Sequence, residues 1–171
     1  MTPNHPTGGV AFVTGGGGGI GGAKAERLAE NGVAVAVADF DFDRADDVRD
    51  RIITAGGTAM AVKLDVTDPA SVADAIADTK STLGPIDQLV NTAGIFGWAE
   101  MEDISDADFE NMFRVHVFGM HSVCRAIIPD MVARGAGTVV NVTSIHAIRG
   151  QSLTAHYSAA KGAILAYTKA L

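Results

Sequence analysis

A chain of 171 residues, 47% apolar and 19% charged, is long enough for one domain with a real core. Its net charge of -7 argues against nucleic acid, whose phosphates call for basic patches. The single cysteine, Cys124, excludes an internal disulfide and fits a reducing compartment.

The start, MTPNHPTGG, has neither the basic stretch nor the apolar core of a signal peptide, and residues 1–9 read as a disordered polar tail. No apolar run reaches the length of a membrane span, so a cytoplasmic protein without membrane contact is expected. Val10–Thr14 reads as a first strand, running into the glycine stretch TGGGGGIGG of Thr14–Gly22. A helix follows over Ile20–Asn31, closed by Asn31-Gly32. Val33–Asp39 is a nearly all-apolar strand, the pattern of a parallel strand covered on both faces. Arg44–Ala55 reads as a helix with Ala45, Val48 and Ile52 on one face, stopped by Gly56-Gly57. Thr58–Leu64 is a third strand. Asp68-Pro69 then opens a helix with Val72, Ala75, Ile76 and Thr79 inward.

Ile86–Asn91 is the fourth strand, followed by a loop over residues 95–104 that holds the only tryptophan, Trp98. Ser105 caps one long helix through Arg134, with Pro129 a candidate bend and Cys124 on its buried stripe. Thr138–Ser144 is the fifth strand, and a last helix starts near Thr154. Five alternations of strand and helix imply an α/β fold, a Rossmann-like doubly wound parallel sheet with helices on both faces. The division is a tail over 1–9 and one dinucleotide-binding domain over 10–171.

Strand, glycine turn and helix in that order make a phosphate-binding corner. Glycine tolerates positive φ and lets backbone N–H groups and the helix N-terminus approach an anion. The alternative, a flexible linker, is disfavoured by the strand and helix directly flanking it. Asp39 ends the second strand 18 residues after Gly21, where a dinucleotide fold places an acid on the ribose 2′-hydroxyl. Such a carboxylate repels a 2′-phosphate, so NAD is expected over NADP; a capping or turn role is the alternative.

Tyr157 and Lys161 are four apart and share a helix face. A free phenol titrates near 10 and is a poor base at neutral pH. A nearby ammonium favours the phenolate, which can exchange a proton with a carbonyl or alcohol oxygen. Ser144 lies at the C-terminal end of a strand, where open α/β sheets bind ligands, and can hydrogen-bond the same oxygen. The plain alternatives are a half-buried aromatic and a solvated lysine, which their place after the fifth strand disfavours. His5, His121, His146 and His156 show no metal-ligand spacing, and exposed loop positions are expected for His146 and His156.

Taken in order, Thr14-Gly15-x-x-x-Gly19-Ile20-Gly21, Asp39, Asp65-Val66, Asn91-Thr92-Ala93-Gly94 and Ser144 with Tyr157-x-x-x-Lys161 resemble the short-chain dehydrogenase/reductase family. The resemblance runs from Val10 to the end. It implies an NAD-dependent oxidoreductase moving a hydride between the nicotinamide and a secondary alcohol or ketone. Tyr157 would be the acid/base, Ser144 would orient the substrate and Lys161 would bind the nicotinamide ribose. Gly15, Gly17, Gly18, Gly19, Ile20, Gly21, Asp39, Asp65, Val66, Asn91, Ala93 and Gly94 would form the cofactor cleft. Selectivity would come largely from the loop near Phe96–Met101 and a later segment, and the full-length form would be a homodimer or homotetramer.

Three departures stand out. The family's second asparagine is Thr92, and its catalytic asparagine on the long helix falls at His116, which could relay protons or simply pack. The family pattern also continues through two more strands. The expectation is therefore a C-terminally truncated fragment with an uncovered fifth strand, poorly soluble and nearly inactive alone. The competing functional reading is a dinucleotide-binding protein without catalysis.

Overall fold

The computed structural model describes residues 8–171, so all but Gly8 and Gly9 of the expected tail, His5 included, lies outside the described residues. Val10–Thr14 (β1), Ala34–Asp39 (β2), Ala59–Lys63 (β3), Ile86–Asn91 (β4) and Thr138–Asn141 (β5) form one parallel sheet. Its order is β3-β2-β1-β4-β5.

The apolar run of β2 is explained by the two faces it serves. Val35 and Val37 point with Ala11 and Val13 toward the helices Gly19–Glu30 (α1) and Phe42–Thr54 (α2), where Ala25, Ala29, Ala45, Val48 and Ile52 complete the layer. Ala36 and Ala38 point the other way with Phe12 and Leu89. That face is covered by Pro69–Thr82 (α3), Met120–Arg134 (α5) and Ala155–Ala170 (α7), through Val72, Ile76, Val123, Ile127 and Ile164. Residues of alternating parity thus feed two cores, which is why no polar alternation is legible in the central strands.

Caps set several boundaries. Asp41 accepts from the Arg44 N–H, so α2 begins at Phe42, two residues before the position expected. Asp68 accepts from the Ala70 N–H with Pro69 in the first turn of α3. Ser105 and Asp108 form a reciprocal capping box on Asp106–Phe113 (α4).

The long helix expected over Ser105–Arg134 is instead α4 and α5 joined by a π-helical segment, Arg114–Gly119. The wider turn brings Gly119 against Val66, where a Cβ would lie 2.6 Å from Val66 Cγ2. It also carries His116. Helix α5 runs unbroken through Pro129, and Cys124 is fully buried in it, its thiol pushed up to about 11 by burial.

Strand β5 forms one edge of the sheet and ends at Asn141, three residues before Ser144. Just beyond it the Val142 N–H still donates to the Asn91 carbonyl of β4 at 3.0 Å, and the chain is otherwise tied to α7. Lys161 Nζ donates to the Val142 carbonyl at 2.9 Å, and Thr143 Oγ1 donates to the Lys161 carbonyl at 2.8 Å. A one-turn helix, His146–Arg149 (α6), follows where only a loop was expected. No helix among the described residues is long and apolar enough to cross a membrane.

Candidate active site

Two halves of the site meet at the C-terminal ends of β1, β2, β4 and β5. The first is built from backbone. Gly15 sits at φ +64°, and a Cβ there would lie 2.8 Å from the Ala93 backbone. A Cβ on Gly21 would collide with the Gly15 carbonyl and sit 2.7 Å from Thr92 Oγ1. Glycine is thus required at the points where the β1–α1 turn packs on the end of β4. Thr92 serves the same junction. Its hydroxyl donates to the Thr14 carbonyl, and the Thr92 and Ala93 N–H groups both donate to Thr14 Oγ1 at 3.2 Å.

This corner opens on a cleft of about 580 Å³. Gly15, Gly18, Gly19, Ile20, Gly21, Asp39, Asp65, Val66, Ala93 and Gly94 line it. Gly17 and Asn91 lie apart from the wall. The Gly17 N–H donates to Asp39 Oδ2 at 2.9 Å, while the Asn91 amide donates to Asn141 Oδ1 at 2.8 Å and approaches Cys124 Sγ at 3.4 Å. Sequence reading missed Arg44, Leu64, Thr67, Asn111 and Val115, which also line the cleft but belong to no local motif.

Asp39 ties the turn to β2. Its second oxygen accepts from the Asp41 N–H at 2.9 Å, so each carboxylate oxygen holds one backbone donor and keeps accepting capacity. Asp65 is likewise ordered, accepting from the N–H and hydroxyl of Thr67 at 2.8 and 2.7 Å. A glycine cradle, a helix N-terminus and a carboxylate at the far end of the cleft fit a dinucleotide: donors for its pyrophosphate and acceptors for a ribose.

The second half is built from side chains. Lys161 is buried, and burial lowers its ammonium to about 8, so it remains a cation at neutral pH. Its Nζ lies 5.8 Å from the centroid of the Tyr157 ring. Three other rings bracket Tyr157 edge-on: Phe96 at 4.8 Å, His116 at 5.5 Å and His146 at 5.6 Å between centroids. Ser144 Oγ accepts from the His146 N–H at 3.2 Å. The structure therefore gathers Tyr157 and Lys161 directly, with Ser144 joined to them through His146.

His116 is buried, with Nε2 2.7 Å from the Ile95 carbonyl oxygen. Burial, followed by the facing Lys161 charge, lowers it to about 4, so its ring is neutral at physiological pH. His116 Nδ1, His146 Nδ1 and His156 Nδ1 are buried without a partner. The exposed-loop expectation for His146 and His156 is corrected here. His156 is 4% exposed on α7, because loop residue Gly97 packs onto its ring, where a Cβ would lie 2.9 Å from Nε2. His146 is half-buried on α6.

The sequence model of the short chain dehydrogenases matches residues 9–171. The chain belongs to that family. It is 36% identical to the 2,5-dichloro-2,5-cyclohexadiene-1,4-diol dehydrogenase of Sphingobium indicum, over 98% of this chain and 67% of the relative. It is also 36% identical to the galactitol 2-dehydrogenase of Agrobacterium fabrum, over 94% of this chain and 62% of the relative. A crystal structure of NAD+-bound xylitol dehydrogenase superposes with a TM-score of 0.93 at 32% identity, covering 97% of this chain and 65% of that one. The chain thus spans about two thirds of the length of the relatives it matches. A nicotinamide dinucleotide is the cofactor that this family and this cleft have in common.

Proposed function

We propose that the protein is an NAD-dependent dehydrogenase of a secondary alcohol or ketone, with Tyr157 as the proton-exchanging group. The observation that carries this is the buried Lys161 cation facing the Tyr157 ring beside Ser144. A fixed cation stands against the ring whose hydroxyl this reading assigns to proton exchange. A nicotinamide held in this cleft would supply the hydride acceptor for the carbinol carbon. The hydroxyl proton leaves through Tyr157, so the alcohol loses two hydrogens and becomes a ketone. Ser144 holds the substrate oxygen. Lys161 holds the nicotinamide ribose and keeps its charge by the phenol.

Gly15, Gly17, Gly18, Gly19, Ile20 and Gly21 supply the turn for the pyrophosphate. Asp65, Val66, Ala93 and Gly94 shape the rest of the cleft, and Asn91 supports it from behind by tying β4 to β5 through Asn141. Asp39 selects NAD over NADP, since a 2′-phosphate would meet a carboxylate held in place by two backbone donors. The same reading makes the compartment the cytoplasm and the assembly a homodimer or homotetramer.

The two relatives named above act, by their names, on a ring diol and on the polyol galactitol at equal identity, so identity carries no substrate class. The test is NADH formation from NAD with a panel of secondary alcohols, alongside NADH binding by fluorescence. Turnover with at least one alcohol is expected. Tight NADH binding without turnover of any alcohol would make the chain a dinucleotide-binding protein instead.

A further inference from the structure

The open side of Tyr157 is walled by apolar groups that nothing in the cofactor half explains. Phe96 is 51% exposed although its ring packs edge-on against Tyr157, and Trp98 is 58% exposed at 5.2 Å from the Phe96 ring. Leu153 is joined to the same loop by a backbone bond. The Ala99 N–H donates to the Leu153 carbonyl at 2.9 Å, tying the loop that carries Phe96 and Trp98 to the segment that enters α7.

Leu153 is also held at φ +66°, the sole non-glycine residue with positive φ among those described. A branched side chain is costly there, and glycine or asparagine would serve the turn at less strain. The strained backbone keeps a 40% exposed leucyl side chain four residues before Tyr157. Polar groups lie to either side of it: Ser144, Tyr157 and the unpartnered Nδ1 of His146 on one, and Asp108, Asn111 and His156 in the pocket that Phe96 and Trp98 also line on the other.

We propose that Phe96, Trp98 and Leu153 form a substrate wall selecting a secondary alcohol or ketone borne on an apolar carbocycle, and disfavouring open-chain polyols. This rests on Tyr157 being the reacting end of the site. A carbocycle presents one polar oxygen, which the Ser144–Tyr157 end can take, and buries its remaining surface on rings and a leucine. A polyol carries a hydroxyl on every carbon, and those lying against this wall would lose water without gaining a partner.

The test pairs turnover with a binding signal that needs none. Trp98 is the only tryptophan in the chain, so its emission reports the wall directly. With NAD present, cyclohexanone is expected to shift that emission and sorbitol to leave it unchanged. The kcat/KM for cyclohexanol should exceed that for sorbitol by at least about 100-fold. Leu153→Gly keeps the positive φ and removes the side chain, so it should leave the melting temperature undiminished and cut that ratio roughly tenfold. Leu153→Asn should cut it further by offering an amide to the polyol.

A cyclohexanol preference below tenfold, or no Trp98 response to cyclohexanone, overturns the wall. So does an unchanged ratio in Leu153→Gly when that variant folds and turns over. A selective Trp98 response without turnover of any alcohol supports the wall while overturning the dehydrogenase reading, so the two fail separately.

Discussion

The two halves of the cleft hold their shape by different means. The cofactor half is chiefly backbone against backbone, Gly15 against Ala93 and Gly21 against the Gly15 carbonyl, with the Gly17 N–H on the Asp39 carboxylate. The substrate half is side chain against side chain, with Tyr157 set among Phe96, His116, His146 and the Lys161 ammonium. A backbone cradle suits a ligand whose phosphates and riboses do not vary. Exchangeable side chains suit a half in which the ligand can differ between relatives of similar fold. The contrast predicts that changes in one half should leave the other half's ligand largely unaffected.

The largest separation is expected from Tyr157→Phe. The ring still packs against Phe96 and His116, but no proton can be exchanged. Turnover should fall on the order of 10³-fold while NADH affinity stays within about twofold. Substantial residual turnover would move the proton-exchanging role to another group, with His146 next in line. Gly21→Ala should act in the opposite sense. Its new Cβ meets the Gly15 carbonyl and Thr92, so it should cost about 2–3 kcal/mol of stability and weaken NADH binding, measured by urea unfolding and fluorescence titration. A Gly21→Ala protein that binds NADH normally would show that the turn is not the cradle.

The same contrast decides how much could be read from the chain alone. The cofactor half is local: β1, the turn and α1 are contiguous, and Asp39 ends the next strand, so glycine spacing and strand periodicity were enough to place them. The substrate half brings residue 96, residue 116, residues 144–146 and residues 153–161 together from four segments; Ser144, Tyr157 and Lys161 are legible from a strand end and a helix face, but no local pattern announces Phe96, His116 and His146 around them. His156 was misplaced because its burial comes from Gly97 settling onto it, a contact invisible at either position. The π-helical turn at Arg114–Gly119 was missed because its apolar spacing fits an ordinary helix closely. Leu153 gave no signal at all, since leucine is a poor marker for positive φ. The short helix α6 lay within a stretch without helical periodicity.

A smaller effect is expected at the boundary of the cofactor half. Asp39→Ala with Phe40→Arg should turn an NADH preference into an NADPH preference, a swing of about 2 kcal/mol or roughly 30-fold in relative Kd. The cost should fall more on NADH than the gain falls on NADPH, because removing the carboxylate also frees the Gly17 and Asp41 N–H groups that order the turn. Tighter binding of NADPH than NADH by the unmodified protein would take the selecting role away from Asp39.

The smallest predicted effect concerns His116 and is visible only in the dependence of stability on pH. In the folded protein this imidazole is lowered to about 4 by burial and by the Lys161 charge, against about 6.5 for an unburied histidine. Between those values the unfolded chain binds the proton and the folded chain does not. Stability therefore rises with pH across that window and is lost as pH falls through it. From about pH 7 to about pH 5.5 the His116 contribution should amount to about 1 kcal/mol, a range in which most carboxylates stay ionised in both states. Asn at this position has no titrating ring, so His116→Asn should flatten the slope by that amount in urea unfolding at the two pH values. Its amide can both donate to the Ile95 carbonyl and accept from the Ile95 N–H, which a single ring nitrogen cannot do at once. The variant should thus be no less stable than the parent at neutral pH. Parallel stability curves for the two proteins would mean that the ring takes up its proton at the same pH folded and unfolded, so that neither burial nor Lys161 holds it neutral.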